Sequence, residues 1–258
     1  MLALAMLMGV HSAKAWGLVG HHIVAYIAEK HLTPETKAKC EHYLNHKVTH
    51  YSLWMDYWRN TDPFKRSTNW HMNNVDEDFN TVGFKGKLDL DAVTQIERIV
   101  GEMSKGKYRN MSDSLVAVNL KFLIHMVGDM HCPCHVGYPK SMGLKIAPLL
   151  NKGKKINHHS FWDSAPNHMH PKWKADNFLK ACDTYSPKEI KKIQKGNATK
   201  WGKQNAAKMM DTYTYWDEGT ELKKLSPEQR KKIDKTMFEQ MAYAGYRLAG
   251  ILNNLMSK

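Results

Sequence analysis

Residues 113–130 read DSLVAVNLKFLIHMVGDM. The stretch is apolar over most of its length, and Pro133 follows it, so it predicts one long helix from Asp113 to Met130. Two polar side chains interrupt its apolar end. His125 and Asp129 are four residues apart and therefore leave the same face. Burying an unpaired carboxylate on such a helix is costly. A metal ion shared by the two side chains removes that cost; a hydrogen-bonded His–Asp pair in the core is the alternative. His135 comes six residues after Asp129, just beyond the helix end, where it can reach a second metal.

The chain repeats the spacing. In Asn157-His158-His159-Ser160-Phe161-Trp162-Asp163, His159 and Asp163 are again four apart. Further donors stand in Trp54-Met55-Asp56, in Asn69-Trp70-His71 and in Trp16-Gly17-Leu18-Val19-Gly20-His21. Their separation along the chain carries no distance information. Five histidines, three aspartates and one chain terminus exceed what one ion can take. Several ions held close together by a shared carboxylate suit phosphodiester cleavage.

The same reading extends to the rest of the chain and predicts an all-α protein with a single multi-helix domain. Val19 to Leu32 carries apolar residues at helical spacing. Thr33-Pro34, Ser186-Pro187 and Ser226-Pro227 each pair an N-cap residue with a proline in the first turn. Asp89 to Lys105 forms another helix by pattern. The last helix runs from Pro227 to about Leu255, with Ile233, Met237, Met241, Tyr243, Leu248, Ile251 and Leu252 facing inward. Val82 to Leu88 and Gly137 to Lys154 read as loops, and no stretch alternates like a strand.

Composition sets the outer bounds. The chain has 258 residues and a formal charge of +13, which suits polyanions such as nucleic acid or anionic headgroups. No segment is long and apolar enough for stable membrane insertion. Residues 1–15 are apolar and end in Ala13-Lys14-Ala15, the pattern of a signal peptide removed before Trp16. That divides the chain into 1–15 and a domain over 16–258, and places the product outside the cytoplasm, secreted or periplasmic. The four cysteines, Cys40, Cys132, Cys134 and Cys182, permit disulfide bonds with three possible pairings. Cys132 and Cys134 are too close in sequence to pair without strain, which leaves Cys40 and Cys182 as outside partners. Zinc ligation by the thiols is the alternative, against which the C-x-C spacing and the lack of a second pair speak.

The order WGxxGH, WxD, WH, HxxxDxxxxxH and HxxxD, running from Trp16 to Asp163, resembles the zinc-dependent S1/P1 nucleases, relatives of the trinuclear zinc phospholipases C. The resemblance implies a trinuclear zinc cleft. Asp56, His71, His125 and Asp129 would hold one zinc. The Trp16 amine and carbonyl with His21 would hold a second, Asp129 bridging the two, and His135, His159 and Asp163 the third. Asp129 and Asp56 would be the catalytic carboxylates. The implied activity is cleavage of single-stranded RNA or DNA to 5′-phosphate products, with 3′-nucleotidase action on nucleotides. A phospholipase C on the same scaffold is the alternative, although those enzymes resemble a His-x-x-x-Glu pattern where this chain has His159 and Asp163. Cys132 and Cys134 depart from the family pattern between Asp129 and His135. Trp70, Tyr138 and Phe161 lie near the motifs and could stack a base, or simply pack.

Overall fold

The computed structural model describes residues 16–257; the expected signal peptide lies outside them. Eleven α-helices dominate: α1 Gly17–Lys30, α2 Pro34–Leu44, α3 Trp54–Trp58, α4 Ala92–Met103, α5 Asp113–Asp129, α6 His158–Asp163, α7 Ala165–Met169, α8 Ala175–Cys182, α9 Pro187–Ile193, α10 Ala198–Met209 and α11 Pro227–Met256. The all-α expectation holds. The caps explain the boundaries. Thr33, Ser186 and Ser226 each accept a backbone N–H three residues on, and the last two form capping boxes with Glu189 and Gln229. Helix α4 begins at Ala92 rather than Asp89 because the Asp91 side chain turns back to accept from the Val93 N–H.

Short strands appear where sequence reading saw none. Strands β1 (Asn73–Asn74) and β2 (Val136–Gly137) pair in parallel, and β3 (Leu149–Asn151) pairs antiparallel with β4 (Lys154–Ile156). The second pair closes through Lys152 and Gly153, both at positive φ. That is a type I′ hairpin geometry, but the usual Asn-Gly signal is absent.

Two large apolar clusters form most of the core, beside a small third one of Val75, Val136, Ala206 and Met209. The first gathers α2, α4, α5 and the end of α11; the second gathers α6, α8, α9 and the earlier part of α11. Helices α1 and α11 contribute to both. They cross so closely at Gly245 that a Cβ there would lie 2.6 Å from Ile27 Cβ and 3.0 Å from the Val24 carbonyl oxygen. Gly245→Ala is therefore expected to destabilise the fold by about 1–3 kcal/mol through overpacking. Equilibrium denaturation with urea measures it, and an unchanged midpoint would refute the close packing.

The disulfides expected from the cysteine count are not formed: all four thiols are free and buried. Cys40 sits in the first cluster and Cys182 in the second, so packing keeps these two apart.

Candidate metal centre

The end of α5 organises the site. Its last turn presents His125 and Asp129 from one face, as their spacing requires, and both are fully buried. Helix α1 brings His21 alongside. Its ring stacks on His125 at 4.0 Å between centroids. Gly128 makes this possible, since a Cβ there would meet His21 Nδ1 at 3.0 Å. Helix α3 contributes Asp56. His71 and His135 stand just before β1 and β2, at the same end of the parallel pairing, and His135 Nδ1 donates to the His71 carbonyl at 2.7 Å. Helix α6 supplies His159 and Asp163, with Asn157 capping it through the Ser160 N–H.

Asp129 is the centre of the array. Its Oδ2 lies 2.7 Å from His71 Nδ1 and 3.3 Å from His125 Nε2. Its Oδ1 lies 3.2 Å from His21 Nε2 and 3.7 Å from His135 Nδ1. The two oxygens thus face different imidazoles. Asp56 Oδ1 approaches His125 Nε2 at 3.7 Å. Asp163 faces His135 Nε2 at 3.7 Å and His159 Nε2 at 3.4 Å. The donor atoms fall into three overlapping or adjoining groups: His71, His125 and Asp129; His21, Asp56 and His125; and Cys134, His135, His159 and Asp163. All eight side chains named from the sequence are therefore brought together. The grouping differs from the expected one in placing His21 beside Asp56 as well as Asp129, because α1 and α3 both pack on α5. Trp16 is anchored next to them: it is buried, and its indole N–H donates to the Gly128 carbonyl at 3.1 Å.

The electrostatics fit a cation. Burial pushes the imidazoles of His125 well down, His135 down to about 3 and His159 down, so all three are neutral, the form that ligates. Burial opposes the charge on Asp129, yet His125, His71 and His135 hold its carboxyl well below the usual range. His21 is desolvated too, but the Asp129 carboxylate outweighs this and raises it. Burial raises Asp56, and drives Asp163 up to about 8. Both nitrogens of His21 and His71, both oxygens of Asp56 and Asp129, and one nitrogen each of His125 and His159 are buried without a hydrogen bond of good geometry. Orphaned polar atoms at this density are costly in any protein interior, and a cation among them satisfies them together. His125 and His135 already use Nδ1 on the carbonyls of Ser52 and His71, which turns Nε2 inward, as ligating histidines do. Adding zinc to metal-stripped protein is therefore expected to raise its melting temperature by about 10 °C, the shift that tight binding at even one site produces in a domain this size. A melting curve indifferent to zinc would refute the fit.

A cavity of about 560 Å³ opens beside the third group and is lined by Tyr138, Lys140, Asn157, His158, His159 and Tyr213 among others. Of the aromatics considered from sequence, Trp70 and Phe161 are core residues, and Tyr138 reaches this cavity. Sequence reading missed Cys134 as a neighbour of Asp163, although it directly precedes His135. It also missed Lys140 and Tyr213, which carry no motif. His131 is buried too, and Arg247 donates to its Nε2 at 2.8 Å, so it braces the end of α5 rather than facing the site.

Residues 16–257 match the sequence model of the S1/P1 Nuclease family. Nuclease P1 from Penicillium citrinum is 25% identical to this chain, over 93% of it and 97% of that protein. Nuclease S1 from Aspergillus oryzae is 27% identical, over 94% and 92%. Endonuclease 2 from Arabidopsis thaliana is 25% identical, over 93% and 90%. Among the described residues no helix is long and apolar enough to cross a membrane.

Proposed function

The chain belongs to the S1/P1 nuclease family, a hydrolase of phosphoric ester bonds acting on nucleic acid, and from that premise we propose that it is a secreted or periplasmic, zinc-dependent endonuclease cleaving single-stranded RNA and DNA to 5′-phosphate products. The observation that carries this reading is the convergence of eight His and Asp side chains, six of them gathered around Asp129 and Asp163. Three zinc ions fit the donor count. Asp56, His71, His125 and Asp129 would hold the first; His21 and the free amine and carbonyl of Trp16 would hold the second, to which Asp129 would also contribute; His135, His159 and Asp163 would hold the third. When bound, such ions polarise phosphoryl oxygens and make a water nucleophilic at neutral pH.

The protein's own groups divide the remaining work. Asp129 stays charged and faces four imidazoles, those of His21, His71, His125 and His135. Asp56, the second carboxylate at this end of the centre, faces His125 and would accept the proton released when water attacks phosphorus. The cavity beside His159 is within the range of about 300–1,000 Å³ typical of small-ligand sites. Lys140 at its edge attracts a phosphate, and Tyr138 and Tyr213 offer apolar ring surface to a base, which tolerates any sequence. A 3′-nucleotide can occupy the same space. Removal of residues 1–15 ahead of Trp16 is supported by Ala13-Lys14-Ala15 and by a family match that opens at residue 16.

The test offers single-stranded RNA, single-stranded DNA, a 3′-nucleotide and phosphatidylcholine to the mature protein, with and without chelator. Chelator-sensitive cleavage of the single strands is expected. Turnover of the lipid alone would sink the reading in favour of a phospholipase C, as would single-strand cleavage that survives complete metal removal for the zinc requirement.

A further inference from the structure

We propose that Cys134 is a metal ligand, and that with His135, His159 and Asp163 it makes the third metal position a four-donor thiolate site. The inference rests on the metal-centre reading above and adds a residue to it. Cys134 Sγ lies 3.1 Å from Asp163 Oδ1. His135 Nε2 is 3.7 Å from the same oxygen, and His159 Nε2 is 3.4 Å from Asp163 Oδ2. The four donor atoms all lie within 4.8 Å of one another. A tetrahedral zinc with bonds of 2.0–2.3 Å has ligand-to-ligand edges of about 3.3–3.8 Å; the three separations to the Asp163 carboxylate, two to Oδ1 and one to Oδ2, lie near that range, and the remaining donors need to close in from at most 4.8 Å.

The local structure holds the thiol there. Cys134 sits in the tight turn Pro133–His135 that follows α5, and β2 begins directly after it. The turn can shift little, because His135 is tied to the His71 carbonyl and Val136 is paired with Asn73. Asp163 and His159 come from one face of α6 and meet the turn from the opposite side. Cys132 does not belong to the group. Its sulfur lies 3.3 Å behind Cys134 Sγ and receives the Trp16 backbone N–H. The C-x-C spacing offers no second cysteine pair for a thiolate site; two imidazoles and a carboxylate complete the set instead.

Ligation balances simply. The Cys134 S–H bond breaks, a sulfur–metal bond forms, and the proton leaves to solvent through the adjoining cavity. Two negative ligands then neutralise a divalent ion. Such an ion is a weaker Lewis acid than one held by two imidazoles and one carboxylate, and it lacks the open position of three-ligand catalytic zinc. In this chain the third position would serve more to fix His159 and the cavity wall than to bind the departing oxygen.

Cobalt(II) substitution of the full mature chain tests this without reference to activity. A thiolate ligand produces an intense near-ultraviolet sulfur-to-cobalt charge-transfer band. The band is expected in the unaltered protein and in Cys132→Ser, and its complete loss is expected in both Cys134→Ser and Cys134→Ala. The weaker visible bands of cobalt held by nitrogen and oxygen remain in those two variants. Absence of the charge-transfer band from cobalt-loaded unaltered protein overturns the inference and leaves the metal centre standing. So does its persistence in folded Cys134→Ser or Cys134→Ala, or its loss in Cys132→Ser alone. Failure to bind any cobalt overturns both.

Discussion

Asp129→Asn is expected to lower hydrolysis of single-stranded substrate by about a thousandfold or more, equivalent to roughly 4 kcal/mol of transition-state stabilisation, and to cost the protein two metal ions at once. The substitution keeps the size of the side chain and removes its charge. It also replaces one carboxylate oxygen by an N–H donor, and both oxygens have work to do. Oδ2 faces His71 and His125, and Oδ1 faces His21 and His135. Whichever way the amide turns, one of the two positions meets an N–H that cannot ligate a cation where the carboxylate offered an oxygen. The charge matters as much as the geometry. Asp129 is the buried carboxylate held well below the ordinary range, so it is the permanent anion of the centre. Elemental analysis beside the hydrolysis assay decides the matter. A variant that keeps its full metal content would show that Asp129 does not bridge.

The second large effect concerns the amino terminus. Protein that retains Ala15 ahead of Trp16 is expected to lose one metal and at least about a hundredfold in activity, the upper end of what altering a metal's supporting shell costs. A free amine has a lone pair to give; an amide nitrogen shares its own with the carbonyl. The rest of Trp16 is already in position, buried and bonded through its indole to Gly128, next in sequence to Asp129. The added residue therefore changes the nitrogen's chemistry without moving the side chain. Mass spectrometry confirms the terminus, and metal content with activity reads the effect. Full activity in the extended protein would remove Trp16 from the ligand set.

Much of both structure and site was legible beforehand, for local reasons. The helices α1, α2, α4, α5, α9 and α11 follow from apolar periodicity and from cap residues, which act within four residues of chain. The pairs His125–Asp129 and His159–Asp163 were visible because one helical turn fixes where both side chains point. Strand β3 and its hairpin were not, since Lys152-Gly153 lacks the usual turn signal. The cysteines misled in a similar way. Their even number suggested cross-links, but number says nothing about whether two thiols share a core.

The sequence by itself determined the helical class, the ends of α5 and α11 to within a residue and which donors stand one turn apart, all set by backbone hydrogen bonding and side-chain period. Only the tertiary structure decided which distant donors meet. The packing of α1 and α3 on α5 brings His21 and Asp56 to Asp129, and the β1–β2 pairing ties His71 to His135. The placement of Cys134 against Asp163, 29 residues on, belongs to the same class. Contacts of that kind depend on how apolar faces bury one another, and chain separation carries no trace of it.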